Sequence, residues 1–117
     1  MDKIRKIERE EMEIQIKIET KLSLLQWYVK RIHGSIYQSG LPDLYLCHVK
    51  YGQRWLEIKH PERYRFTEPQ LKEFRLISMR RVGIWVAQAV HEVPELLHKP
   101  PNWHTFLPVL SARGRGG

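Results

Sequence analysis

The sequence predicts an α/β fold: a mixed β-sheet flanked by helices, in the order α-β-β-β-α-β. Three observations predict it. Residues 3–26 repeat apolar side chains with the period of an amphipathic helix. Two short β-rich runs then follow, joined at a glycine-containing turn. A capped helical segment comes next and leads into the apolar run Ile84–Ala89. A chain of 117 residues suits one modest core, expected over residues 1–110, with residues 111–117 (SARGRGG) as a disordered Gly/Arg tail.

In the first helix, Ile4, Ile7, Ile14, Ile18, Leu22 and Leu25 recur at spacings of three, four or seven. Trp27–Ile32 reads as a strand and His33-Gly34-Ser35 as a break. Leu44–Val49 is the second strand, Tyr51-Gly52-Gln53 the turn, and Arg54–Lys59 the third strand. A second helix starts at Thr67. Thr67-Glu68-Pro69-Gln70 fits a capping box, with Leu71, Phe74 and Ile77 on the buried face. Ile84–Ala89 is a central strand, Val93–His98 a short helix, and Trp103–Leu110 packs back on the body.

The net charge of +7 and pI ≈ 9.8 favour a polyanionic partner, nucleic acid or an anionic membrane surface, over a neutral one. A merely soluble surface gives the same surplus. Cys47 stands alone, which excludes an intrachain disulfide and argues against a cysteine-based zinc site. The charged N-terminus is unlike a signal peptide, and no apolar run is long enough to span a bilayer, so a cytoplasmic location is expected.

The charged residues of the hairpin are out of place. Strand alternation puts Trp55, Glu57 and Lys59 on one face, and Leu56 and Ile58 on the other. Counting from Tyr51-Gly52 pairs residue 44 or 45 with 58 or 59. Asp43 then neighbours Lys59, with Glu57 in diagonal reach. Two carboxylates that close repel unless a cation lies between them, and hard oxygen ligands suit Mg²⁺ or Mn²⁺. On a helical wheel Glu11 lies about 20–25° from the centre of the apolar stripe, whereas Glu13 and Glu19 point to water at roughly 140° and 100°. Gln15 sits one turn beyond Glu11. Packed on the sheet, Glu11 and Gln15 would approach Asp43 and Lys59. Each signal has an ordinary reading: a solvated strand face, a Pro-Asp turn, a tolerated edge glutamate. Their combination points to a site. The histidines lack zinc-ligand spacing, although His33 and His60 flank the site and are placed to touch a phosphate. Trp27, Trp85 and Trp103 read as core.

Pro42-Asp43 followed by Glu57-Ile58-Lys59 resembles the signature of the PD-(D/E)XK nuclease superfamily. The closer resemblance is to its VRR-NUC family, in the small stand-alone phage and bacterial type. Glu11-Met12-Glu13-Ile14-Gln15, Ser39–Leu44, Phe66–Gln70 and Gly83–Val86 resemble that family's motifs in order, over roughly residues 8–89. The resemblance implies a restriction-endonuclease-like core. It implies a divalent-metal-dependent endodeoxyribonuclease, structure-selective for branched DNA in the manner of a Holliday-junction resolvase, working as a homodimer. Asp43 and Glu57, with the backbone carbonyl of Ile58, would hold Mg²⁺ or Mn²⁺; Lys59 would stabilise developing charge; Glu11 would serve a second metal or act through water. Gln15 and Gln70 would orient these groups. Lys30, Arg31, Arg54, Arg63, Arg65, Arg80 and Arg81 are candidates for DNA-backbone contacts, as are His33 and His60, with Arg113 and Arg115 of the tail adding affinity. The Ile4–Ile7 end of the first helix or Trp103–Leu110 would form the dimer interface. The alternatives are a catalytically inactive DNA-binding or assembly module with this fold, and a ribonuclease or anionic-surface binder.

Overall fold

The computed structural model describes residues 2–32 and 39–107. The expected break at His33-Gly34-Ser35, the Gly/Arg tail and the last residues of the 103–110 segment lie outside the described residues. The elements are α1 (Asp2–Leu24), β1 (Tyr28–Arg31), β2 (Leu44–His48), β3 (Gly52–Ile58), α2 (Glu68–Ser78) and β4 (Ile84–Ala87), followed by three short 3-10 turns. The strands form one sheet in the order β1-β2-β3-β4; β1, β2 and β3 run antiparallel, and β4 pairs parallel with β3. The mixed sheet and the α-β-β-β-α-β order are those the sequence predicts.

α1 covers one sheet face. Ile18 and Leu22 bury themselves against Leu44, Leu46, Leu56 and Ile58, joined by Trp27, Trp85, Ala87 and Leu97. The alternate residues face α2, where Phe74 packs with Ile84, Val86 and Trp103, and Trp55 lies against them. β4 is buried on both faces, which explains its unbroken apolar run. Its outer edge is closed by one side chain: the Val86 N–H donates to Asn102 Oδ1 at 2.7 Å, and Asn102 Nδ2 donates to the Val86 carbonyl at 3.1 Å. The segment expected as one helix over Val93–His98 is instead two 3-10 turns, Val90–Glu92 and Glu95–His98, separated at Val93-Pro94. Trp103 begins the third turn (Trp103–Phe106) and is buried by its own chain, donating Nε1–H to Ser78. Among the described residues no helix is long and apolar enough to cross a membrane.

The hairpin turn falls at Val49-Lys50-Tyr51, not at Tyr51-Gly52-Gln53, because Gly52 already pairs with His48. Gly52 takes a positive φ of 81°, which suits glycine at the turn's exit. The true register pairs Leu44 with Leu56. This puts Asp43 opposite Glu57 rather than beside Lys59, with Lys59 one residue beyond the strand end.

Candidate active site

Three segments end at the same corner of the sheet: the approach to β2, the exit of β3, and the first turn of α2. Asp43 and Glu57 are locked together through backbone and side chain. The Asp43 N–H donates to Glu57 Oε1 at 3.1 Å, and the Ile58 N–H donates to Asp43 Oδ2 at 2.8 Å. Lys59 keeps its backbone in line by donating its N–H to the Ala87 carbonyl. The approach to β2 lies close against α2 because residue 40 is glycine. Gly40 has φ 90°, and a Cβ there would collide with the Pro69 carbonyl oxygen in the first turn of α2.

The capping box predicted for α2 forms in full, and it delivers a site residue. Gln70 N–H donates to Thr67 Oγ1, and Thr67 N–H donates back to Gln70 Oε1. The same Gln70 amide reaches across to β3: Nε2 donates to Glu57 Oε2 at 2.8 Å, and Oε1 accepts from Lys59 Nζ at 3.0 Å. Lys59 Nζ also donates to the Arg65 carbonyl at 2.6 Å, lies 3.2 Å from Glu57 Oε2, and sits 4.4 Å from the Phe66 ring centroid. Glu57 and Lys59 are nearly sealed off, at 2% and 5% exposure.

One ammonium faces two carboxylates in a poorly solvated corner, and the carboxyl groups respond accordingly. Burial pushes Glu57 up to about 8, and the Asp43 charge pushes in the same direction against the pull of Lys59. Burial likewise raises Asp43, with a further contribution from Glu11, despite the Ile58 N–H bond and Lys59. The corner opens into a cleft of about 410 Å³, lined also by Glu11, Ile4, Ile7, Arg63 and Arg65. Two hard carboxylates with too little positive charge beside them make a donor set suited to a divalent cation. Among the described residues, no three His, Cys, Asp or Glu side chains form a ready metal-binding group.

The structure brings Asp43, Glu57, Lys59 and Gln70 into contact and sets Glu11 at the cleft wall. Glu11 Oε2 accepts the His60 N–H at 2.8 Å. Ile4 and Ile7, considered above for a dimer interface, line this cleft. Gln15, at the edge of the apolar stripe, is buried, but its Nε2 donates to Glu19 at 3.0 Å and it does not line the cleft. Glu19 is not the water-facing residue expected. It forms a two-pronged pair with Arg31, Nε to Oε2 at 2.9 Å and NH2 to Oε1 at 2.6 Å. A helical wheel shows one helix and cannot show that β1 brings a guanidinium alongside.

Of the expected DNA contacts, Arg63 and Arg65 are exposed at the cleft. Lys30 is exposed on β1, away from the cleft, and Arg31 is engaged by Glu19. Arg54 lies 4.8 Å from the Trp85 ring and donates to the Leu97 carbonyl, a packing arrangement near the hairpin. Arg80 donates to the Leu76 carbonyl at the end of α2, and Arg81 lines a separate cleft with Pro101 and Trp103. His60 turns its ring inward, where Nδ1 accepts the N–H groups of Glu62 and Arg63. His33, Arg113 and Arg115 lie outside the described residues. The sequence reading missed Phe66 as the ring under Lys59. A signal was present: Phe66 precedes the N-cap Thr67 and Leu71 is the fourth helical residue, a hydrophobic staple that fixes Phe66 near the site.

No family model matches the chain, and no curated protein matches it significantly. The architecture, a mixed four-stranded sheet flanked by helices, is that of a restriction-endonuclease-like α/β fold. Among solved structures the chain is similar to a VRR_NUC domain, with a TM-score of 0.65 and 21% identity over 76% of this chain and 95% of that one. The chain therefore has the VRR-NUC fold.

Proposed function

We propose that the protein is a divalent-metal-dependent endonuclease that hydrolyses DNA phosphodiester bonds, selective for branched DNA such as a four-way junction, and that it works as an intracellular homodimer. The observation that carries this reading is the convergence of Asp43, Glu57 and Lys59 in an open cleft with one ammonium for two carboxylates. The VRR-NUC fold and the net charge of +7 support it.

Asp43 and Glu57, with the Ile58 carbonyl, would hold Mg²⁺ or Mn²⁺, and Glu11 stands where it could serve a second ion or act through water. The chemistry supplied by a bound ion is Lewis-acid stabilisation of phosphoryl charge and a lowered pKa of water. Lys59 places its ammonium beside the phosphoryl oxygens and stabilises the charge that develops there. An entering phosphate oxygen replaces one of its present acceptors, Arg65 O, Gln70 Oε1 or Glu57 Oε2. Gln70 orients Glu57 and Lys59 at once through its two amide atoms. Phe66 screens the ammonium from water on one side. Arg63 and Arg65 contact flanking phosphates.

Cleavage of a labelled four-way junction, a flap and a plain duplex with Mg²⁺, Mn²⁺ or EDTA tests the proposal. Wild type should cut the branched substrates with either ion and nothing in EDTA. Asp43→Ala and Lys59→Ala should each lower the rate by about 10²–10³-fold or more while still binding DNA. Full activity in either variant contradicts the assignment. Binding by wild type without cutting would favour the inactive DNA-binding module instead.

A further inference from the structure

A second cleft, of about 300 Å³, adjoins the first. Lys3, Lys6, Ile7, Glu10, His60 and Arg63 line it, together with Glu62. Ile7 and Arg63 line both clefts, so the two are successive parts of one groove running along the N-terminal half of α1. Lys3, Lys6 and Ile7, and Glu10 and Glu11, occupy consecutive turns of one helix face. Lys3 to Glu11 spans about 12 Å along the helix, the axial length of about three to four nucleotides of one DNA strand.

The junction between the clefts is rigidly built. His60 is almost fully buried, and two successive α1 residues hold it. Its backbone N–H donates to Glu11 Oε2, and its ring Nε2 lies 3.3 Å from Glu10 Oε1. Because Nδ1 accepts the N–H groups of both Glu62 and Arg63, Nε2 carries the ring proton toward Glu10. Gln88 Nε2 donates to the His60 carbonyl at 3.1 Å and fixes the loop from β4. The backbone that carries Arg63 is thus pinned against α1. Glu10 is engaged with His60. Among the described residues, Lys3, Lys6 and Arg63 form no ion pair.

The geometry points to a strand-binding groove. One nucleic-acid strand leaves the Asp43–Glu57 corner, passes Ile7 and Arg63, and lays its next phosphates on Lys6 and Lys3. His60 is the positioning residue that holds Arg63 in that track. The location of the reacting phosphate rests on the nuclease reading; the phosphate contacts do not need turnover.

The test is binding of a fluorescent DNA duplex in EDTA, followed by anisotropy over a series of salt concentrations. The Lys3→Gln/Lys6→Gln variant should weaken binding and lower the slope of log K against log salt by about 1.8, that is about 0.9 for each lost phosphate contact. Arg63→Gln should lower it by about another 0.9. Lys50→Gln/Lys99→Gln changes two exposed lysines that line neither cleft and should leave the slope unchanged. An unchanged slope in Lys3→Gln/Lys6→Gln, or an equal fall in Lys50→Gln/Lys99→Gln, overturns the groove. Absence of cutting by wild type would remove the nuclease reading and leave this result standing, so the two failures are distinct.

Discussion

The Glu19–Arg31 pair joins α1 to β1, the Asp43–Glu57–Lys59 cluster lies at the open end of the β2–β3 hairpin, and their carboxyl groups respond in opposite directions. Glu19 meets one guanidinium in two-pronged geometry. Arg31 holds its carboxyl below the ordinary value despite partial burial, and Glu19 in turn raises Arg31. Asp43 and Glu57 share one ammonium in a poorly solvated corner, and both are raised. The first cluster is balanced and ties α1 to β1. The second is short of positive charge, which costs stability and is the imbalance on which the proposed cation site rests. Charge balance separates the structural cluster from the proposed functional one, where counting ion pairs would have merged them.

Breaking the unbalanced cluster should have the largest effect, the loss of cutting in Asp43→Ala and Lys59→Ala described above. Gln70→Ala comes next. It should lower the cleavage rate by about 10–100-fold by releasing Glu57 and Lys59, with a smaller loss of thermal stability from the lost capping contact. Single-turnover kinetics beside a melting curve would separate the two.

Asp43→Asn should sharpen the comparison through stability. It keeps an acceptor for the Ile58 N–H and removes the charge that opposes Glu57. Between about pH 4.5 and 8 the folded wild type binds more protons at Glu57 than the unfolded chain does, so this group makes stability fall as pH rises through that window. The variant should flatten that slope. In thermal melts at the upper end of the window it should be about 1 kcal/mol more stable than wild type, roughly 4–8 °C, while remaining inactive. A lower melting temperature there would show that the carboxylate charges are compensated.

The smallest effect belongs to the balanced pair. Arg31→Gln should cost about 0.2–1 kcal/mol, because the guanidinium is partly exposed, and should leave cleavage unchanged. Glu19 has a lowered carboxyl, so its contribution should be present near neutral pH and fade as pH falls through its folded value. A denaturant titration at two pH values would check both points.

Local chemistry explains what the sequence made legible. Thr67 and Gln70 carry their partners within three residues, so the α2 cap could be read directly. β4 could be read because burial on both faces leaves an unbroken apolar run. The site residues were legible as residue types at strand ends, yet their pairing was not. The turn position sets the register, and Val49-Lys50-Tyr51 bears weaker turn signals than Tyr51-Gly52-Gln53. The wheel placed Glu11 and Gln15 on the buried side of α1 but could not choose between the site corner and Glu19 as the partner of Gln15. The second role of Gln70, bridging Glu57 and Lys59, depends on how α2 meets the end of β3, which spacing along the chain does not encode.

Calorimetric titration of Mn²⁺ into wild type and Asp43→Asn at neutral pH tests the central claim most directly. Wild type should bind the ion saturably, and Asp43→Asn should lose at least about tenfold in affinity, about 1.4 kcal/mol. Equal binding by both proteins, or none by wild type, would contradict a cation site at Asp43 and Glu57.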